Sequence, residues 1–315
     1  MIKSLKNDTM KLTVEAGGLT LTNPTILAAG ILGTTGASLK RVASMGAGAV
    51  VTKSIGAEPK YGHPNPSMIR LECGYINAMG LPNPSYKEFL PELETAKDSG
   101  VPVIASIFGA TEAEFIEVAK GLPGASAYEL NVSCPHARGY GMQVGTDPAL
   151  VKAIAHAVKG TVNAPVWVKL TPNVTDITSI GRAAQEGGAD AVVAINTLKA
   201  IAIDIDSGYP ILGNIQGGLS GPAIKPVAVR CVYDLYSALD IPVIGAGGVS
   251  SWADAVEFIM AGAAAVEIGS AVYDDIGVFA AVSMGLSDYL DRKNMTLKDL
   301  TGMAHRMVKH EADKC

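Results

Sequence analysis

GASAYELN, residues 124–131, decides the reading of the fold. It opens on Gly-Ala-x-Ala and runs into a short β-rich segment. The same phrase returns as GAGAVVTK (46–53), GADAVVAIN (188–196) and GAAAVEIG (262–269). Between its copies stands a second phrase, Pro-Val followed by another β-rich run: PVIAS (102–106), PVWVKL (165–170) and PVIGAGG (242–248). The two alternate strictly. Each run is short and mostly apolar, as suits a strand covered on both faces of a parallel sheet.

Helical patterns fill the intervals. Thr111-x-x-Glu114 reads as a capping box ahead of Phe115, Val118, Ala119 and Leu122 at helical spacing. Asp147-Pro148 supplies an N-cap and an N1 proline before Leu150, Val151, Ile154 and Val158. Ser251 and Asp254 open another amphipathic stretch that ends at Gly262, where glycine suits a helix C-cap. An opening strand near 25–29 brings the count to eight strands, each followed by a helix. That order predicts an α/β chain folded as a (β/α)8 TIM barrel, one domain over residues 1–315, with an open doubly wound sheet as the alternative. Lys11–Val14 and Leu19–Leu21, around Gly17-Gly18, read as a small N-terminal β-hairpin capping the barrel bottom.

Composition agrees with a large packed core. Of 315 residues, 48% are hydrophobic and 17% charged, which excludes disorder. The net charge of −5 and the lack of a basic block argue against nucleic acid as a partner. No apolar run approaches the roughly 18 residues of a membrane span, and the first residues lack a signal peptide's apolar segment. Cysteines 73, 134, 231 and 315 stand apart, none in a C-x-x-C pair. A metal site and a disulfide framework are therefore not expected, and a reducing, cytoplasmic compartment is.

Barrel active sites form at the C-terminal ends of the strands, and the repeats locate those ends. Seven residues after the first Gly of each Gly-Ala-x-Ala phrase come Lys53, Asn131, Ile195 (with Asn196 next) and Gly269. Four residues after each Pro-Val proline come Ser106, Lys169 and Ala246, the last followed by Gly247 and Gly248. Two lysines and two asparagines thus converge on one rim, as a ligand site requires. Gly247-Gly248 after strand 7 and Gly269-Ser270 after strand 8 suit a phosphate group, because close approach to backbone N–H donors needs small residues there. Lys169 could stabilise an anion such as a reduced flavin, or could form a Schiff base. Strand 4 runs into NVSCPH (131–136) and then ARGYGMQVG (137–145), which reads as a loop with glycine hinges over the rim. A thiol titrates near ~8.5, so Cys134 is a candidate base for a weakly acidic carbon proton.

Several stretches, in order along nearly the whole chain, resemble dihydroorotate dehydrogenases: VTKS (51–54), INAMGLPNP (76–84), ELNVSCP (129–135), VKLTPNVTDI (168–177), AINT (194–197), GGLSGPAIKP (217–226), IPVIGAGGV (241–249) and AVEIGSA (265–271). The resemblance implies a (β/α)8 barrel, FMN, and oxidation of dihydroorotate to orotate in pyrimidine biosynthesis. It implies Cys134 as the base that takes the C5 proton while the C6 hydride passes to flavin N5. Lys53, Asn77, Asn131 and Asn196 match residues that hydrogen-bond the pyrimidine or its carboxylate. Thr197 stands beside them, with the backbone of Ala78, Met79, Gly80 and Leu81. Lys169 matches the lysine at the flavin's N1 side, favouring the flavin role over the Schiff base. Gly221, Gly247, Gly248, Gly269 and Ser270 match the FMN ribityl and phosphate cradle. Ala29, Lys53, Ser54, Ser106, Asn131 and Ile195 match further FMN contacts.

The sequence departs from the family in three places. His136 stands where an Asn often follows SCP, and Ser106 and Ala29 replace residues that are commonly Asn and Ser. The SCPH form also resembles the pyrimidine-reducing barrel of dihydropyrimidine dehydrogenases, whose catalytic Cys lies later in the loop, where this chain has Val144. That subunit, or a non-catalytic flavin-binding barrel, is the alternative. The short N-terminal region argues against the quinone-linked class. GGLSGPAIKP and the SCP cysteine look like class 1B, which implies a separate electron-transfer subunit carrying FAD and a 2Fe–2S cluster, around a homodimer core in a heterotetramer. A fumarate-using homodimer is the runner-up.

Overall fold

The computed structural model describes residues 11–132 and 142–312. Fourteen strands lie along them: β1 (Val14–Ala16), β2 (Leu19–Leu21), β3 (Thr25–Leu27), β4 (Ala49–Val51), β5 (Met68–Leu71), β6 (Gly74–Asn77), β7 (Val103–Ile107), β8 (Ala127–Asn131), β9 (Val166–Lys169), β10 (Ala191–Ala194), β11 (Leu198–Ala200), β12 (Gly217–Ser220), β13 (Val243–Ala246) and β14 (Ala263–Ile268). Eight of them, β3, β4, β7, β8, β9, β10, β13 and β14, close into a parallel barrel, with β14 pairing back onto β3. Every strand expected from the two repeated phrases is present. Helices follow each one, from Gly36–Ser44 after β3 to Val278–Lys293 after β14.

The barrel interior is filled in layers, each contributed by alternate strands. At the bottom the even strands place Ala49, Ala127, Ala191 and Ala265, the second Ala of each Gly-Ala-x-Ala phrase or its neighbour in the register. Above them the odd strands place Ile26, Ile104, Trp167 and Ile244. Two residues on from the alanines, the even strands supply Val51, Glu129, Val193 and Glu267. Two residues on from the second layer, the odd strands supply Ala28, Ser106, Lys169 and Ala246. The lower two layers are wholly apolar, and the charge enters only near the mouth.

The hairpin plugs the lower end. Ala16, Leu19 and Leu21 pack into the interior cluster, in space the small alanine layer leaves. Its first strand is Val14–Ala16, three residues later than the sequence pattern suggests, because Gly17 and Gly18 make a two-residue turn with positive φ at both, so Ala16 must pair directly with Leu19. The Trp167 indole N–H donates to the Gly17 carbonyl at 2.8 Å. A Cβ on Gly17 would lie 2.4 Å from that nitrogen, so no larger residue fits.

Caps fall largely as the sequence directs. Asp147 accepts from the Ala149 and Leu150 amides, Ser251 and Asp254 form a reciprocal capping box, and Gly262 closes that helix in the left-handed conformation. Thr111 accepts from the Glu114 amide, but Glu114 reaches the Ala110 amide at 2.7 Å, one residue ahead of the cap, so the box is open on one side.

One element lies outside the repeated pattern. β5, β6, β12 and β11 form a four-stranded antiparallel sheet built from the loops after β4 and β10. It carries Asn77 and Ser220 to the barrel mouth, pairing Gly218 with Asn77. Its sequence signal is MIRLECGYIN (68–77), an alternating run with a turn, which a count of eight barrel strands does not use.

Trp167→Ala is expected to lower the unfolding free energy by about 3–5 kcal/mol, since it opens a cavity at the centre of the second layer and removes the bond to the hairpin. Urea denaturation checks this; a loss under ~1 kcal/mol would contradict the hairpin's role as a packed plug.

Candidate active site

A cavity with about 1210 Å³ of empty space, open to solvent, lies at the C-terminal ends of the barrel strands. Its wall includes Lys53 and Ser54 after β4, Asn131 at the end of β8, Lys169 at the end of β9, and Ile195, Asn196 and Thr197 after β10. Ala29, Gly247, Gly248, Gly269 and Ser270 line it from the strands on the other side, and Gly221 from the segment after β12. The second sheet covers it with Asn77, while Met79, Gly80 and Leu81 follow on the loop. Nearly all the rim residues found by counting along the repeats therefore meet in one place. Two do not reach the wall. Ser106 and Ala78 are fully buried; Ser106 shares its layer with Lys169 but has its hydroxyl 2.9 Å from Ser54 Oγ, and Ala78 donates its amide to the Ser67 carbonyl. Cys134 and His136 lie outside the described residues.

The polar groups are fixed by hydrogen bonds between strands. Asn131 Nδ2 donates to Ser54 Oγ at 3.0 Å, and Ser54 Oγ lies 2.9 Å from Ser106 Oγ. The Ser106 amide donates to Thr52 Oγ1 at 3.0 Å. This relay joins β4, β7 and β8 and leaves Asn131 little freedom. On the opposite wall Asn173 spans Thr171 Oγ1 and the Thr197 carbonyl, each at 3.0 Å, and the Asn196 side chain accepts from the Thr197 amide at 2.8 Å. Gly218 has to be glycine here: a Cβ would sit 2.0 Å from Thr197 Oγ1.

The floor is charged. Lys169, only 6% exposed, pairs closely with Glu267 and stands 3.7 Å from Glu129 Oε1. Both glutamates are buried in the interior. Burial foremost, then the Glu267 carboxylate, hold Glu129 well above the ordinary glutamate range, and Lys169 offsets only part of this. Burial alone would pull Lys169 down, but the two facing carboxylates outweigh it and leave the ammonium above its usual value. The close contact with the Glu267 carboxylate places Lys169 as a cation rather than as the free amine that Schiff-base chemistry needs.

Comparison with known proteins decides the family. A family profile described as dihydroorotate dehydrogenase matches residues 11–290. The chain is 78% identical to "Dihydroorotate dehydrogenase B (NAD(+)), catalytic subunit" of Methanocella arvoryzae, over 95% of this chain and 100% of that protein. It is 51% identical to the protein of the same description from Pyrococcus furiosus, over 95% and 100%. A crystal structure of DHODH from Eimeria tenella in complex with ferulenol superposes with a TM-score of 0.83 at 25% identity, over 96% of this chain and 90% of that one. The chain belongs to the dihydroorotate dehydrogenase family. Within that family it is of the class 1B type, an oxidoreductase on a TIM barrel.

Dihydroorotate dehydrogenases are flavin-dependent, and the cavity suits a flavin. Lys169 offers a fixed cation to a ring that gains negative charge on reduction. Next to the glycine turns the wall stays open: a Cβ built on Gly269 meets only Ala28, at 3.5 Å, and Ile31 at 4.0 Å. At Gly248 the backbone itself requires glycine, with φ of 82° and a built Cβ 2.8 Å from the Gly221 carbonyl oxygen. The Gly221 and Gly248 backbones thus approach closely.

Sequence reasoning misses Glu129 and Glu267, although both lie in stretches that carry the family resemblance. A signal for them exists. Each occupies the sixth position of a Gly-Ala-x-Ala phrase, where the other two copies carry Val51 and Val193. A carboxylate in place of valine on a barrel-interior position marks a site that something must neutralise.

Ser54→Ala removes the middle of the Asn131–Ser54–Ser106 relay. The expected outcome is a loss of about 1–3 kcal/mol in unfolding free energy, together with weaker orotate binding by titration. Unchanged stability and unchanged orotate affinity would contradict a rigidly held Asn131.

Proposed function

We propose that this chain oxidises dihydroorotate to orotate in pyrimidine biosynthesis, with FMN as its cofactor and Cys134 as its base. One observation carries the reading: Lys53, Asn77, Asn131, Asn196 and Lys169, drawn from five separate segments, face one cavity in a chain whose family match spans nearly its whole length. Bound FMN supplies N5 as the hydride acceptor for the substrate's C6. The chain's own residues do the rest.

Lys53 and the three asparagines hold the flat pyrimidine and its carboxylate, since each amide offers both a donor and an acceptor to a ring that carries both. Thr197 and the backbone of Met79–Leu81 complete that grip. Cys134 takes the C5 proton, which lies alpha to a carbonyl and needs only a moderate base held in reach. Lys169 stays protonated and faces the negative charge. Gly221, Gly247, Gly248, Gly269 and Ser270 take the phosphate and ribityl chain, with Ala29, Ser54 and Ile195 along the ring. Ser106 acts on this set through Ser54.

The curated relatives are described as catalytic subunits of an NAD(+) enzyme. We therefore assign to this chain a partner subunit carrying FAD and a 2Fe–2S cluster, around a homodimeric core. The barrel as one domain over 1–315 is the catalytic unit of that assembly. Among the described residues no helix is long and apolar enough to cross a membrane. Cys73 is exposed and unpaired, which suits the reducing cytoplasm.

The protein with FMN bound is expected to bleach when dihydroorotate is added without oxygen, and orotate should restore the colour. A bound flavin that does not bleach would overturn the substrate. Reoxidation by uracil or thymine instead of orotate would favour the dihydropyrimidine dehydrogenase reading.

Cys134→Ala should slow anaerobic bleaching by about 10²–10⁴-fold while FMN stays bound; an unchanged rate would remove Cys134 from the chemistry. Stopped-flow absorbance separates these results. Purified alone, the chain should pass electrons from dihydroorotate to an artificial dye but form no NADH from NAD+. NADH formation by the isolated chain would refute the need for a partner.

A further inference from the structure

Lys169 is the cation of the cavity floor, but the two carboxylates around it have no part in the mechanism above. They stand on β8 and β14, with Lys169 on β9, and all three point into the barrel. Their side chains are 0%, 0% and 7% exposed. One ammonium thus meets two carboxyl groups away from water. Among their four oxygens, one of Glu267 meets the ammonium closely, and Glu129 Oε1 lies at 3.7 Å. Among the described residues neither oxygen of Glu129 has a hydrogen-bond partner, nor has Glu267 Oε1.

The groups facing Glu129 from the strands packed against it are Lys169 from β9, Glu267 from β14 and the Ser106 hydroxyl from β7. The rest of the surrounding interior, Ile104, Trp167, Val51 and Val193, is apolar. Two ionised carboxylates with a single cation would leave a net negative charge in this setting. Such a charge is far costlier than retaining one proton. Carboxyl pairs held together resolve the conflict by sharing it.

We propose that Glu129 and Glu267 are positioning residues for Lys169 that share one proton, Glu267 meeting the ammonium as a carboxylate and Glu129 standing beside it as a neutral acid. The cavity floor is then an electroneutral triad. Glu267 and the barrel wall fix the ammonium under the cavity, and the neutral acid keeps the floor from repelling negative charge that develops on a group bound above it. With both glutamates ionised, the floor would oppose the charge Lys169 is placed to receive. The link to a bound group rests on the flavin reading above; the shared proton does not.

The test uses the purified protein, E129Q, and the double variant E129Q/E267Q. The infrared difference spectrum of wild type minus E129Q at neutral pH is expected to show the C=O band of a buried carboxylic acid. The midpoint potential of bound FMN should be the same in wild type and E129Q, since the amide replaces a neutral acid. In the double variant Lys169 loses its counter-charge. The reduced-over-oxidised affinity ratio for FMN should then rise at least about tenfold, or ~30 mV for a two-electron couple. Absence of the acid band, or an E129Q potential already raised by ~30 mV, would show two ionised glutamates and overturn the proposal. A protein that binds no FMN would fail the flavin reading alone, because the infrared band still decides the proton. If the double variant does not fold, the acid band and the E129Q potential together still decide between a shared proton and two ionised glutamates.

Discussion

A closed eight-stranded sheet has to fill its own interior, and that constraint governs this protein from its bottom to its mouth. Four alanines, a large aromatic among isoleucines, and then a layer split between valine and glutamate occupy successive levels. The alanine level leaves room for the N-terminal hairpin, so Leu19 and Leu21 close the end away from the cavity. The aromatic level seals the barrel against water from below. Only above this seal does charge enter, and there a lysine can be held by carboxylates without solvent. The low local dielectric makes that cation effective toward a bound anion, and the same dielectric makes its compensation obligatory.

The rim extends the layering. Residues beyond the last packed level line the cavity, Lys53, Asn131 and Asn196 among them. The Ser54 relay and the bonds of Asn173 lock this wall from behind. The second sheet then lowers Asn77 onto the mouth from outside the barrel, on loops that the barrel itself does not need. Rigid walls and a separate cover divide the labour between positioning and enclosure.

Much of this is legible in the residues. The Gly-Ala-x-Ala and Pro-Val phrases fall on strands because each strand enters the barrel with the same small-residue turn and the same layer positions, so counting from the glycine or proline reaches the rim at each copy. The strand list and most wall residues follow from that count. The four-stranded sheet is not legible: its strands are short, come from two distant loops, and are defined by pairing with each other, which local pattern does not encode. Nor is the position of Ser106. Its place in the count puts it at the rim, but its side chain is fully buried against the Ser54 hydroxyl, and Ser54 lines the wall. The two glutamates are hidden for another reason. Read one strand at a time they resemble a tolerated polar residue, and only the barrel's closure brings β8 and β14 to the same lysine. The hairpin's three-residue shift reflects turn chemistry, since the positive φ of Gly17 and Gly18 sets the register regardless of upstream alternation.

The proposed chemistry requires a planar substrate held between the sulfur of residue 134 and the flavin ring, with the Lys169 ammonium at the pyrimidine edge of that ring. A crystal structure of the FMN-loaded protein with orotate measures this directly. It should place the Cys134 sulfur on the face of orotate opposite the flavin, beside C5, with Lys53 and the asparagines around the ring's edge. A sulfur turned into packed hydrocarbon, or orotate bound away from this cavity, would contradict it.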